Sequence, residues 1–330
     1  MSTVPNYTEP NFNKSMILLL RARGLDFEFL PCALGRPIVS SRWHINLPDI
    51  SQQRWNQKNF RLVIHAQDFI HWYNNLCVEL HWLEQQFTPE QQSKIIFVAW
   101  DHRLGEIYQG NIKIVNFASH SYELVHQLKD RWNEWKDVHK KNIKYNWICL
   151  NGRAREYRQE VYNMLRHESS GFCSHSIFNP IDIHPYQDYN FNNVENFIKL
   201  MPVYQSAHAS VITESLYQDV GGIVTEKTLL AVAARHPFMC IGHRYCHEDV
   251  AALGFQNYDD VFDLSYDSED KTTRMYSAID KNKKTLQDLV DIDHLQEKIN
   301  ANFEWLMGGY AESIRIRAQE DLRILFEKSL

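Results

Sequence analysis

The 330-residue sequence holds no apolar run long enough to cross a bilayer, which takes about 20 residues. Its longest early run, Met16-Ile17-Leu18-Leu19-Leu20, meets Arg21 and Arg23 at once. A secretory core would be longer and nearer the N-terminus, so the run reads as a buried strand. The 6 cysteines include no C-x-x-C pair, which leaves reduced, mostly buried thiols and a cytoplasmic setting as the expectation. A basic excess is also missing. Lys and Arg total 35 against 41 Asp and Glu, a net charge of −6, whereas nucleic-acid binders draw most of their affinity from neutralising phosphates. There is no G-x-x-x-x-G-K-[ST] loop, no G-x-S-x-G elbow and no H-E-x-x-H helix. Asp-x-Asp occurs as Asp291-Ile292-Asp293 inside a helical tail, and His243, Cys246 and His247 lie close together without further ligands, so no metal site is expected.

What is present is ordinary globular material: 44% hydrophobic and 23% charged residues. Aromatics are rich at 13%, a supply of flat surface for cores and for ligand stacking. The length suggests two domains. Short apolar runs alternate with helical periods, the pattern of an α/β chain with parallel sheets. Strands are expected near Met16–Leu20, Arg61–Ile64, Ile95–Ala99, Ile112–Phe117, Trp147–Leu150, Ala209–Thr213 and Phe238–Ile241. Helical periods cover Phe69–Phe87, Ser121–Val138, Arg155–His167, Thr225–Arg235 and most of the tail from Leu286. The basic stretch Lys136–Lys144 reads equally as a domain linker or a solvated helix end. Two α/β domains, residues 1–145 and 146–330, facing a cleft are the economical arrangement.

Ligands of open α/β sheets bind beyond the carboxyl ends of the strands, so the residues there carry the argument. Asn151-Gly152-Arg153 ends one strand, and Arg155 and Arg158 open the following helix, a combination suited to phosphate. A solvated helix start is an equal reading. Ile212-Thr213-Glu214-Ser215 ends a second strand, with Glu214 as ligand contact, cap or salt-bridge partner. In Gly221-Gly222-Ile223-Val224-Thr225-Glu226-Lys227 the glycines permit close backbone approach and Thr225 can cap a helix. Lys227 then sits where the helix dipole disfavours a cation, a conflict that an anionic ligand would resolve.

These ordered segments resemble the donor-binding signature of the α-1,3-fucosyltransferase family, in which Phe-Glu-Asn-Ser at a strand end precedes Gly-Tyr-Val-Thr-Glu-Lys. Ile223 stands at the family's Tyr. The same segments, with the later Phe262-Asp263-Leu264-Ser265-Tyr266-Asp267, are similar to phage-encoded glycosyltransferase-like proteins. The likeness covers roughly residues 147–270. It implies a GT-B glycosyltransferase with two Rossmann-like domains: an acceptor-side domain (1–145) and a nucleotide-sugar domain (146–330) that carries the helical tail. The co-substrate would be a nucleoside diphosphate sugar, with no other cofactor and no metal. Donor contacts would come from Asn151, Arg153, Arg158, Glu214, Ser215, Gly222, Thr225, Glu226 and Lys227. Glu226 would take the ribose diol, and Lys227 with Arg153 or Arg158 the diphosphate. The catalytic base of an inverting reaction would come from the first domain. Strand ends there offer His65, Asp68, Asp101, His102 and His120, with Asp101 preferred because it follows the strongest strand. A glycan is the default acceptor. A hydroxymethylated base of phage DNA is the runner-up, suggested by the stretches Arg36–Trp43 and Arg54–Arg61. A sugar-nucleotide-binding protein without turnover is the third reading.

Overall fold

The computed structural model describes residues 20–21, 25–32, 50–66, 80–100, 103–152, 155–175, 193–215, 217–219, 221–288 and 292–327. These form an α/β protein built on two separate four-stranded sheets, parallel throughout. The first contains β1 (Asp26–Cys32), β2 (Phe60–Ala66), β3 (Ile95–Ala99) and β4 (Lys113–Asn116), in spatial order β1-β2-β3-β4. The second contains β5 (Tyr145–Asn151), β6 (Gly171–His175), β7 (Ala207–Thr213) and β8 (Phe238–Ile241), in order β6-β5-β7-β8. Parallel strands covered on both faces read as continuous apolar runs rather than alternations. That is why Ile-Ile-Phe-Val-Ala of β3 and Phe-Met-Cys-Ile of β8, each wholly buried, stand out in the sequence.

Two strands escape that signal. In β1, the opening Asp-Phe-Glu-Phe alternates polar and apolar residues, and Asp26 and Glu28 both face Arg54, at 3.5 and 2.5 Å. In β6, Gly-Phe-Cys-Ser-His is short and mixed. Gly171 of β6 lies in register with Trp147 of β5, and a Cβ at that position would overlap the indole. Of the run 16–20, only Leu20 is described, and it is helical; among the described residues the first strand begins at Asp26.

The chain divides into two compact units, residues 1–123 with 312–330, and residues 124–311. In the first unit, Trp55, Phe60, Leu62, Ile64, Phe97 and Leu104 belong to one buried cluster. The closing helix Ala311–Glu327 belongs to this unit almost entirely, whereas the sequence placed the whole tail with the second domain. There Asp321 accepts from the amide of Asn116 at 2.9 Å. Phe117 N–H, the next amide along, donates to Ala99 of β3, so the Asn116 amide points away from β3 and needs such a partner at the sheet edge.

In the second unit an aromatic cluster of Trp132, Trp135, Phe197 and Phe303 packs edge to face, and Trp135 donates to Leu128 O at 2.8 Å. The stretch 136–144 is packed within this unit: Val138 is buried, and the amides of Asn142 and Lys144 bond to the carbonyls of Gln205 and Ser206. Among the described residues, no helix is long and apolar enough to cross a membrane.

Lys141, in that stretch, donates to the carbonyls of Tyr204 (3.4 Å) and Ala234 (3.1 Å) at the ends of two helices. Burial, with Arg235 nearby, pushes its ammonium down to about 7. Between that value and the unfolded value of about 10.4, the unfolded chain holds a proton that the folded one lacks, so stability rises with pH. Relative to Lys141→Met, the wild type should therefore gain on going from about pH 7 to 9, by at most about 1.4 kcal/mol per pH unit. Urea unfolding of both proteins across that range checks it. A constant difference would remove the assignment.

Candidate functional site

The order β6-β5-β7-β8 places the first two strands of the second unit out of sequence. The chain winds one way from β5 to β6 and the other way from β5 to β7 and β8. The topological switch point therefore lies between the carboxyl ends of β5 and β7, where doubly wound folds open a ligand crevice. Those ends are Asn151 and Thr213, followed by Glu214. Segments that the sequence spaces 60 residues apart converge on this one place.

Asn151 is fully buried and joins three strands. It accepts from the Thr213 hydroxyl at 2.6 Å and donates to Ser174 O at 3.1 Å and Cys149 Sγ at 3.3 Å. Glu214 is also fully buried. Its Oε1 accepts from Thr225 N–H (3.2 Å) and the Thr228 hydroxyl (2.6 Å), and its Oε2 from the Thr225 hydroxyl (2.5 Å) and Ser215 N–H (3.1 Å). Four donors satisfy a charge that would otherwise be prohibitive to bury. One carboxylate thereby closes the loop between β7 and the helix Glu226–Ala233, with Thr225 as its N-cap. Gly222 is buried within that loop.

Lys227 and Glu226 open the helix. Lys227 Nζ donates to Ser215 Oγ (2.9 Å), Thr225 Oγ1 (3.1 Å) and Glu226 Oε1 (2.9 Å), so its ammonium is held by protein groups. Burial lowers its pKa, Glu226 opposes that shift, and Arg158 adds to it. Arg158, 1% exposed, donates to the carbonyls of Thr213 and Glu214, both at 3.1 Å. Arg155 donates to Ser215 O and the Tyr157 hydroxyl to Glu214 O. Arg155, Arg158 and Lys227 thus gather around Glu214 and Glu226, three cations to two carboxylates, at the switch point.

Aromatic and basic side chains beyond the motifs complete the wall. Tyr157 stacks on Tyr217, with centroids 4.8 Å apart and planes at 10°. Arg158 lies against the first ring and Arg274 against the second, at 5.6 and 5.1 Å. Arg274 is fully buried and donates to Gly242 O, Glu269 O, Gln218 O and Asp219 Oδ1. It ties the end of β8 to the loop after β7. Little local in the sequence marks Arg274 or Tyr217, since their partners, Glu269 apart, lie 32 to 60 residues away. The Phe262–Asp267 motif is a clamp: Tyr266 donates to Cys240 O of β8 at 2.8 Å, and Asp267 accepts from the amides of Cys246 and His247, capping the helix Cys246–Ala252.

The remaining predicted residues fall outside the described residues or belong to the first unit. Arg153, Asp68, Asp101 and His102 lie outside the described residues, as does Asp291. The backbone of His65 is in β2. His120 is in the helix Ser119–Asp130 of the first unit, its ring 5.4 Å from that of Trp100. Of the stretches read as basic, Arg36–Trp43 is not described, and Arg54 is engaged by Glu28 and Asp26. Among the described residues, no group of three or more His, Cys, Asp or Glu is placed to hold a metal ion. No family model matches the chain, and no match was found among curated proteins or solved structures.

Removing the Glu214 carboxylate orphans the amides of Ser215 and Thr225 and two hydroxyls, and each buried donor left unpaired costs about 1–3 kcal/mol. Glu214→Ala should lower stability by about 3 kcal/mol or more, read from denaturant midpoints. A loss under about 1 kcal/mol would show that the loop holds without it.

Proposed function

We propose that this chain is a glycosyltransferase that moves a sugar from a nucleoside diphosphate sugar to an acceptor hydroxyl, with a glycan as the acceptor class. The observation that carries the reading is the excess of cationic over anionic side chains at the β5–β7 switch point, set on a glycine-containing loop and a capped helix start. Such a place suits a diphosphate. The sequence resemblance points the same way, because its three ordered motifs are the segments that meet there.

In this reading Lys227 exchanges its contacts with Ser215 and Thr225 for phosphate oxygens. Arg158, locked on the carbonyls of β7, contributes a fixed positive field, and Arg155 a second one. Glu226 accepts hydrogen bonds from the ribose diol, and Gly222 lets the ligand approach the backbone. The sugar C1–O bond to the diphosphate breaks as the acceptor oxygen forms its new bond to C1, and a base takes the acceptor proton. The negative charge that grows on the departing diphosphate is what these preorganised cations stabilise. Asn151 and Glu214 act through the backbone they hold, as positioning residues.

Calorimetric titration with nucleoside diphosphates tests the site. Lys227→Ala should bind about 10- to 100-fold more weakly, because a charge-assisted contact of about 1.5–3 kcal/mol is lost. Glu226→Gln should weaken ribonucleotides more than their 2′,3′-dideoxy analogues. Equal affinity of wild type and Lys227→Ala would end the assignment. Transfer or hydrolysis of a labelled nucleotide sugar separates an enzyme from a binding protein.

A further inference from the structure

Of the four buried histidines of the second unit, His175, His236, His243 and His247, the last three invite comparison. The ring nitrogens of His236 contact the Tyr204 carbonyl (2.8 Å) and the Ser210 hydroxyl (2.9 Å). Those of His247 are met by Cys240 N–H (3.0 Å) on Nε2 and Asn257 Oδ1 (3.0 Å) on Nδ1, which fixes a neutral ring with its proton on Nδ1. His243 differs. Its Nε2 lies 2.6 Å from Asp249 Oδ2, with both side chains at most 2% exposed, so the Nε2–H donates to the carboxylate. The other ring nitrogen, Nδ1, is buried and has no partner, and in the neutral ring it is an acceptor.

A second orphan belongs to the loop after β7. Gln218 Oε1 is buried without a partner, and the Gln218 carbonyl accepts from Arg244 N–H, the residue after His243, at 2.9 Å. Two unpaired polar atoms thus belong to His243 and to Gln218, whose carbonyl is bonded by the residue that follows His243. Buried polar atoms are normally paired, and two acceptors without a donor call for a group that brings one. The place is next to the proposed donor site: a Cβ on Gly242 would lie 3.0 Å from Glu214 Cβ, and Glu214 N–H donates to Ile241 O.

We propose that His243, oriented by Asp249, is a further ligand contact of this site and accepts a hydrogen bond at Nδ1 from a hydroxyl of the bound nucleotide sugar. The inference rests on the nucleotide-sugar reading above. Asp249 holds the ring in the tautomer that can accept, as a carboxylate behind a histidine does wherever one nitrogen must be kept bare. The hydroxyl belongs either to the ribose or to the transferred sugar.

The test uses the full chain labelled with ¹⁵N-histidine. The Nδ1 resonance of His243, assigned by its loss in His243→Phe, should move upfield as it begins to accept a hydrogen bond. A shift with a nucleoside diphosphate alone assigns the ribose. A shift only with nucleoside diphosphate sugars assigns the transferred sugar. His243→Phe should bind the responsive ligand about three- to tenfold more weakly, with His243→Gln, which retains an acceptor, recovering part of the loss. Should His243→Phe fail to fold, His243→Gln supplies the assignment and the resonance of the unaltered protein decides. Ligands that bind, by calorimetry, without moving that resonance would overturn the contact and leave the donor site standing. The orphaned acceptors would then be served by a structural water. No binding of any nucleotide would instead remove the donor site, and this contact with it.

Discussion

A single buried carboxylate, that of Glu214, is the interaction on which the second unit's loop architecture depends. A charge without solvent is tolerable only when donors surround it, and Glu214 recruits four from Ser215, Thr225 and Thr228. Those donors are the residues that must be in place for Lys227 to sit where it does, since its ammonium rests on Ser215 and Thr225. Strand end, loop and helix start are therefore one unit. The carbonyl side of the same segment is held independently by Arg158, Tyr157 and Arg155. Acceptors on one side and donors on the other leave the backbone from 213 to 215 little freedom.

This arrangement separates the residues that hold the site from those that would meet a ligand. Asn151, Arg158 and Glu214 are buried and saturated, while Glu226 and Lys227, with side chains 24% and 22% exposed, stand at the rim. Arg274 plays for the next strand the part that Arg158 plays for β7, gathering carbonyls from β8 and from the loop after β7. The stacked tyrosines between these arginines make the two clamps continuous. The Phe262–Asp267 motif belongs to the same scheme, anchoring β8 and a helix start. Motif residues here are thus mostly scaffold, and conserving a backbone position is the simplest physical reason for their spacing.

The apolar strands and the motif segments were legible in the sequence because their cause is local. A strand buried on both faces must be apolar throughout, as β3 and β8 are, and a capped helix start needs Thr225 ahead of an apolar helical period. The meeting of Asn151–Arg158 with Thr213–Lys227 followed from fold class alone, through the rule that doubly wound sheets bind ligands at strand ends. β1 and β6 were not legible, because acids that face Arg54 break the apolar run of one, and a glycine filled by Trp147 weakens that of the other.

What the sequence by itself determined is the class of the fold, the places where β2 to β5, β7 and β8 end and the residues that crowd those ends. Only the tertiary structure decided what each residue does there. Burial, with partners 55 residues away for Arg158 and up to 14 residues away for Glu214, turned the one into a clamp on carbonyls and the other into the centre of a donor cage. Burial and partners also gave the closing helix to the first unit through Asp321, and left Nδ1 of His243 bare. Local chemistry sets what a side chain is able to do; the long-range contacts that desolvate it and choose its partners set which of those things it does.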